Sequence, residues 1–126
     1  MIAFSAVGTN DLKRARAFYD ELLGIMGAKV VFERPDGMLM SYGNARGAPM
    51  FSICEPFDGA PASVGNGAMV AFDAKDPAQA KELYDKAISL GATCEGEPGP
   101  RLDGSITCAY VRDLDGNKLN FLAQGS

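Results

Sequence analysis

The chain contains one unit written twice. Aligned from Ala3 and from Ala68, the segments AFSAVGTNDLKRARAFYD and AMVAFDAKDPAQAKELYD superpose without a gap. Asp11 then falls on Asp76, Ala15 on Ala80, Tyr19 on Tyr84 and Asp20 on Asp85. A repeat in a chain of 126 residues predicts two similar modules closed on each other, with a ligand site between them. Phe4 and Met69 occupy equivalent positions in the two copies, and both are apolar.

Each copy opens with a short strand whose alternation assigns its faces. Ile2, Phe4 and Ala6 share one side, and Ala3, Ser5 and Val7 the other; Met69 and Ala71 match the first side, and Ala68, Val70 and Phe72 the second. A helix follows each strand. Asp11 and Asp76 are natural N-caps, because a short carboxylate accepts from the free N–H groups of the first turn, and Pro77 suits a first helical residue. Leu12, Ala15, Phe18 or Tyr19, and Leu22 recur at helical spacing in the first helix, as do Ala80, Leu83, Ala87 and Leu90 in the second. Gly27 and Gly91 read as C-terminal caps. Three strands complete each copy: KVVFE, MLMSYG and PMFSICE, parted by residues 35–37 and the Gly43–Gly47 loop, then TCEGE, SITCAYVRD and NKLNFLA, with a tight turn at Asp115–Gly116–Asn117. The expectation is an α+β fold of two tandem βαβββ modules, forming a curved mixed sheet around a central cleft. Module one covers residues 1–57, a linker rich in Gly, Pro, Ala and Ser covers 56–67, and module two covers 67–126, together one domain. A single helix covers one face of each sheet, and the partner module is the obvious cover for the other.

Composition removes several functions. A formal charge of −4 argues against nucleic acid, which is held by clustered Lys and Arg. No apolar run reaches the length of a membrane span, and no secretory signal is visible, so a cytoplasmic protein is expected. Three cysteines, Cys54, Cys94 and Cys108, fit no zinc or redox spacing and read as reduced, mostly packed thiols. The chain has no histidine, which removes the commonest metal ligand and the commonest general base together.

The repeated βαβββ pattern, the opening VGTNDLKRARAFYDELLG and the closing YVRDLDGNKLNF resemble the vicinal oxygen chelate superfamily, the group of glyoxalase I, bleomycin-resistance proteins and extradiol dioxygenases. The resemblance spans essentially the whole chain. In metal-using members a histidine on the first strand of each module and acidic residues on the last strands hold a divalent ion. Those positions fall here on Phe4, on Phe51 or Ser52, on Met69 and on Asn120. Phenylalanine has no lone pair, a thioether is too soft for Mg, Mn, Ni or Zn, and one amide oxygen cannot hold a divalent ion alone. The resemblance therefore implies the scaffold without its metal, and no cofactor is expected.

The remaining candidates carry two readings each. Phe4 and Met69 are either core or the lining of an apolar ligand cavity, a compensating metal site elsewhere being the outside alternative. Asn120 alternates with Leu119 and Phe121; if those pack under the helix, its amide enters the cleft and needs a ligand or an internal hydrogen bond. Tyr110, on the strand face of Cys108, either projects its phenol into the cleft or packs. Met40 and Tyr42 are weaker cleft candidates, adaptable together with Met50. Arg101, on a loop after GluProGlyPro, either meets a carboxylate or phosphate or is a solvated surface group. Residues 113–117 lack the remaining ligands of a calcium loop and read as a hairpin turn. Cys108 has no histidine to activate it.

The leading expectation is a metal-independent small-molecule-binding protein with an apolar cleft, sequestering an antibiotic or toxic metabolite; the acidic balance would suit a cationic one. The alternative is a glyoxalase-like lyase or isomerase, or a dioxygenase-related enzyme, with a non-standard centre built on Tyr110, Glu55 or a rebuilt metal site. A purely structural module is the third reading. By resemblance alone, the chain is expected to be a homodimer.

Overall fold

The structure, a computed structural model, describes residues 1–44 and 48–126. The loop expected over Gly43–Gly47 includes Ala45, Arg46 and Gly47, which lie outside the described residues. Two compact units, Met1–Val64 and Gly65–Ser126, repeat the same element order. The first contains β1 (Phe4–Gly8), α1 (Leu12–Gly24), β2 (Lys29–Glu33), β3 (Leu39–Gly43) and β4 (Met50–Cys54). The second contains β5 (Val70–Asp73), α2 (Pro77–Ser89), β6 (Thr93–Arg101), β7 (Ile106–Arg112) and β8 (Lys118–Gln124). The sheets are ordered β1-β4-β3-β2 and β5-β8-β7-β6, each with one parallel pair, so the α+β fold of two βαβββ units is as the sequence predicted.

Both helices start where the sequence indicated. The Asp11 carboxylate accepts from the Arg14 N–H at 3.0 Å, the Asp76 carboxylate accepts from the Gln79 N–H at 2.8 Å, and Pro77 opens α2. Each cap satisfies a donor that has no partner inside the helix. The amphipathic faces then decide which side of each sheet is buried.

In the first unit, α1 buries Ala15, Phe18, Tyr19, Leu22 and Leu23. The Tyr19 ring lies 4.9 Å from that of Phe51 and 6.3 Å from that of Tyr42, whose hydroxyl donates to Asp20 at 2.8 Å. Fully burying side chains such as Leu22 and Phe18 contributes about 1.5–3 kcal/mol each. Met40, Tyr42, Phe51 and Ile53 all belong to this helix-covered face, because cross-strand partners point the same way: Met40 pairs with Ile53, and Tyr42 with Phe51. Met40 and Tyr42 are thus core rather than cleft residues. The Cys54 thiol, half-buried, donates to the Val7 carbonyl.

In the second unit, α2 buries Ala80, Leu83 and Ala87, and packs on β6, β7 and β8. Leu119, Phe121, Ala109 and Val111 are fully buried on the same side. The final turn is closed by Asp113, whose carboxylate accepts from the backbone of Asp115 and Asn117 and from the Asn117 side chain, at 2.9–3.0 Å. That carboxylate is occupied in shaping a hairpin. Two sequence readings need correction here. Arg101 is not on a loop: β6 runs on through Pro98 and Pro100 to Arg101, because β6 is an edge strand that tolerates missing donors and absorbs register shifts between Cys94 and Gly99. Cys94, expected as packing, is exposed; its thiol bonds the Tyr84 phenol and, as the main cause, helps push that group up to about 12.

Candidate functional site

Strand alternation leaves a second face on each sheet, turned away from its helix. In the first unit that face carries Phe4, Ala6, Met50, Ser41 and Ser52, since Phe4 pairs with Met50, Ala6 with Ser52 and Ser52 with Ser41. Of the two residues offered for the acidic ligand position, Ser52 therefore stands on the Phe4 face, and Phe51 stands under α1. Ser52 is fully buried, and its hydroxyl is paired with that of Ser41 at 2.7 Å. Ser41 escaped the sequence reading, although its place one residue before Tyr42 put it on the opposite face. Phe4 is 51% exposed and Met69 is 45% exposed, so neither is a core residue.

In the second unit the corresponding face carries Ala71 on β5, Lys118, Asn120 and Leu122 on β8, Cys108, Tyr110 and Arg112 on β7, and Gly96 on β6. Leu119 and Phe121 do pack under the helix, which fixes Asn120 on this side. Asn120 is 3% exposed, and its Oδ1 is buried without a hydrogen-bond partner. A buried acceptor left in this state costs about 1–3 kcal/mol. It is the one such side-chain atom among the described residues.

Tyr110 stands directly opposite Asn120. Its ring lies over Gly96: a Cβ added there would be 2.9 Å from Tyr110 Cδ2 and 3.6 Å from Arg101 Nη2, closer to the ring than side chains tolerate. Glycine at this point lets the ring lie down on the edge strand. Two cations flank the ring, the Arg101 guanidinium at 5.7 Å and the Lys118 ammonium at 5.3 Å from its centroid. The bond to the Cys108 thiol, then burial, hold the Tyr110 phenol above its usual range, while Arg101 opposes the shift. At neutral pH the group is therefore a phenol, able to donate and accept, and not a phenolate base.

Arg101 is held from its own strand. Its guanidinium donates to the carbonyls of Gly99, Pro100 and Glu97 at 2.9–3.2 Å. The chain then reverses through Leu102, Asp103 and Gly104, all with positive φ, into β7. These bonds fix the side chain without neutralising it, and no carboxylate pairs with it among the described residues. Arg112, by contrast, is paired with Glu95, whose carboxyl is held below its usual range first by that hydrogen bond. Lys118 was not singled out from sequence; its position two residues before Asn120, on the same strand face, was the available signal.

The fold family's metal does not fit these residues. Phe4, Ser52, Met69 and Asn120 offer one hydroxyl committed to Ser41, one soft thioether and one neutral amide. Among the described residues no group of three or more His, Cys, Asp or Glu is arranged to hold a metal ion. A separate pocket of about 250 Å³ lies in the first unit, lined in part by Thr9, Asn10, Met38, Glu55 and Pro56.

Among the described residues no helix is long and apolar enough to cross a membrane. No curated protein matches the chain. Among solved structures, it is similar to a glyoxalase/bleomycin resistance protein from Albidiferax ferrireducens, with 36% identity over 98% of each chain and a TM-score of 0.87. A lactoylglutathione lyase from Agrobacterium tumefaciens shares the fold at 23% identity, covering 98% of this chain and 92% of that one, with a TM-score of 0.68. A putative glyoxalase from Bacillus halodurans does so at 20% identity, covering 98% and 95%, with a TM-score of 0.75. The family model of the glyoxalase/bleomycin resistance protein/dioxygenase superfamily matches residues 2–121, and with both βαβββ units accounted for, the chain belongs to that superfamily.

Proposed function

We propose that this chain binds a small organic molecule without a metal ion, using the helix-free face of its second sheet. The observation that carries the reading is Asn120: its buried Oδ1 has no partner, and a ligand N–H or O–H would supply one. Tyr110 offers a neutral phenol and an aromatic surface beside it, as pockets that combine apolar lining with few polar groups do. Met69 and, in the first unit, Phe4 add exposed apolar area. The biological role would be sequestration of an antibiotic or toxic metabolite, which needs no chemistry. Three free thiols suit a reducing, cytoplasmic setting, and the exposed Ile2, Phe4 and Phe32 suit a homodimer.

Calorimetry with a panel of aromatic compounds tests this reading, with metal analysis of the purified protein beside it. Saturable binding by protein free of bound metal is expected, and Asn120→Leu weakens it at least tenfold. Stoichiometric metal with turnover of methylglyoxal and glutathione would overturn it. One observation favours acid–base chemistry as the second reading: the carboxylate-bearing Glu55 lines the first unit's pocket. In that case Glu55→Gln abolishes an activity that Asn120→Leu leaves intact.

A further inference from the structure

The charge on the second unit's site runs against the charge of the chain. The protein carries a formal −4, which by itself suits a cationic ligand. Yet two cations, Arg101 and Lys118, stand 5.7 and 5.3 Å from the centroid of the Tyr110 ring. Among the described residues Arg101 bonds only backbone carbonyls, which leave its charge uncompensated, and its planar fork is already oriented. Among the described residues no carboxylate forms an ion pair with Arg101 or Lys118. Glu95 bonds Arg112 and feels Lys118 more weakly. Asp73 is exposed on β5, two strands from Tyr110, which is ~10 Å at the usual strand spacing. Two cations close to one ring repel each other, and an anion that meets both relieves that cost.

Resting on the binding reading above, we propose that the ligand is a small planar monoanion that also carries a hydrogen-bond donor: its carboxylate, or an equivalent oxyanion, meets Arg101 and Lys118 over the Tyr110 ring, and its N–H or O–H donates to Asn120 Oδ1. Three features converge on this class. The orphaned acceptor demands a donor and rejects a second acceptor. The cations demand a negative group. Tyr110, lowered onto Gly96, adds an aromatic ring beside both cations.

Three probes of one shape separate the alternatives: 4-hydroxybenzoate, its uncharged methyl ester, and the cation tyramine. Calorimetry on the full chain is expected to show 4-hydroxybenzoate binding at least tenfold more tightly than the ester, and tyramine more weakly still. Raising the salt from 20 to 200 mM should weaken only the anion, by a few-fold. Arg101→Gln and Lys118→Gln should each erase most of the preference for the anion while leaving the ester unchanged. Arg34→Gln, which alters a cation paired with Asp36 in the first unit, serves as the control and keeps the preference. Equal or tighter binding of the ester or tyramine, or a preference indifferent to both substitutions, overturns the anion assignment while the binding reading stands. Failure of all three probes to bind wild-type protein overturns both.

Discussion

The two sheets have the same order, the same helix beneath them and the same turn of the chain, yet their other faces solve one problem in opposite ways. Each must place a polar side chain at a buried point on its last strand. In the first unit Ser52 meets Ser41 across the strand pair, and the two hydroxyls satisfy each other. In the second, Asn120 meets the Tyr110 strand position, and its Oδ1 is left without a partner. A duplicated scaffold has thus kept one face chemically closed and the other open. Internal hydrogen bonding spends a polar group on stability; an unmet one reserves it for something else, at a cost in stability.

The largest test asks whether the units are equivalent where they should be. Phe51→Ala and Phe121→Ala each remove a ring packed under a helix, and each should cost about 3–5 kcal/mol in chemical denaturation. A loss confined to one would show that the units differ in their cores and not only in their open faces. Next come the turns. Asp113 organises three hydrogen bonds in a half-buried hairpin, so Asp113→Ala should cost about 2 kcal/mol, whereas the exposed Asp36, bound to Arg34 and the Met38 N–H, should matter less.

The comparison itself turns on a difference of sign. Ser52→Ala strands the Ser41 hydroxyl and should destabilise by about 1 kcal/mol, whereas Asn120→Leu removes an unsatisfied acceptor and should stabilise by about 1 kcal/mol while weakening the ligand. Thermal denaturation of both variants decides; destabilisation by Asn120→Leu would mean that the amide is structurally employed after all. The smallest effect is electrostatic. Arg112 holds the Glu95 carboxyl below its ordinary 4.5, so this pair stabilises the fold above that pH and the gain is lost as pH falls through the lowered value. Arg112→Gln should flatten that part of the acid melting profile.

Sequence alone determined the repeat, the two capped helices, the strand count and which residues of β1, β5 and β8 share a face, because these follow from local periods and caps. It also allowed Phe4, Met69 and Asn120 to be read as poor ligands for a hard divalent ion, since that reading rests on their atoms and not on their arrangement. It left Phe51 and Ser52 as alternatives, set Arg101 on a loop, and overlooked Lys118 and Ser41. These depended on cross-strand register and on an edge strand carried through two prolines, which no short window of sequence contains. Only the tertiary structure set Ser52 against Ser41, Tyr110 on Gly96, and two cations beside one ring, because each pairing joins strands whose register is fixed by packing against a helix elsewhere in the chain.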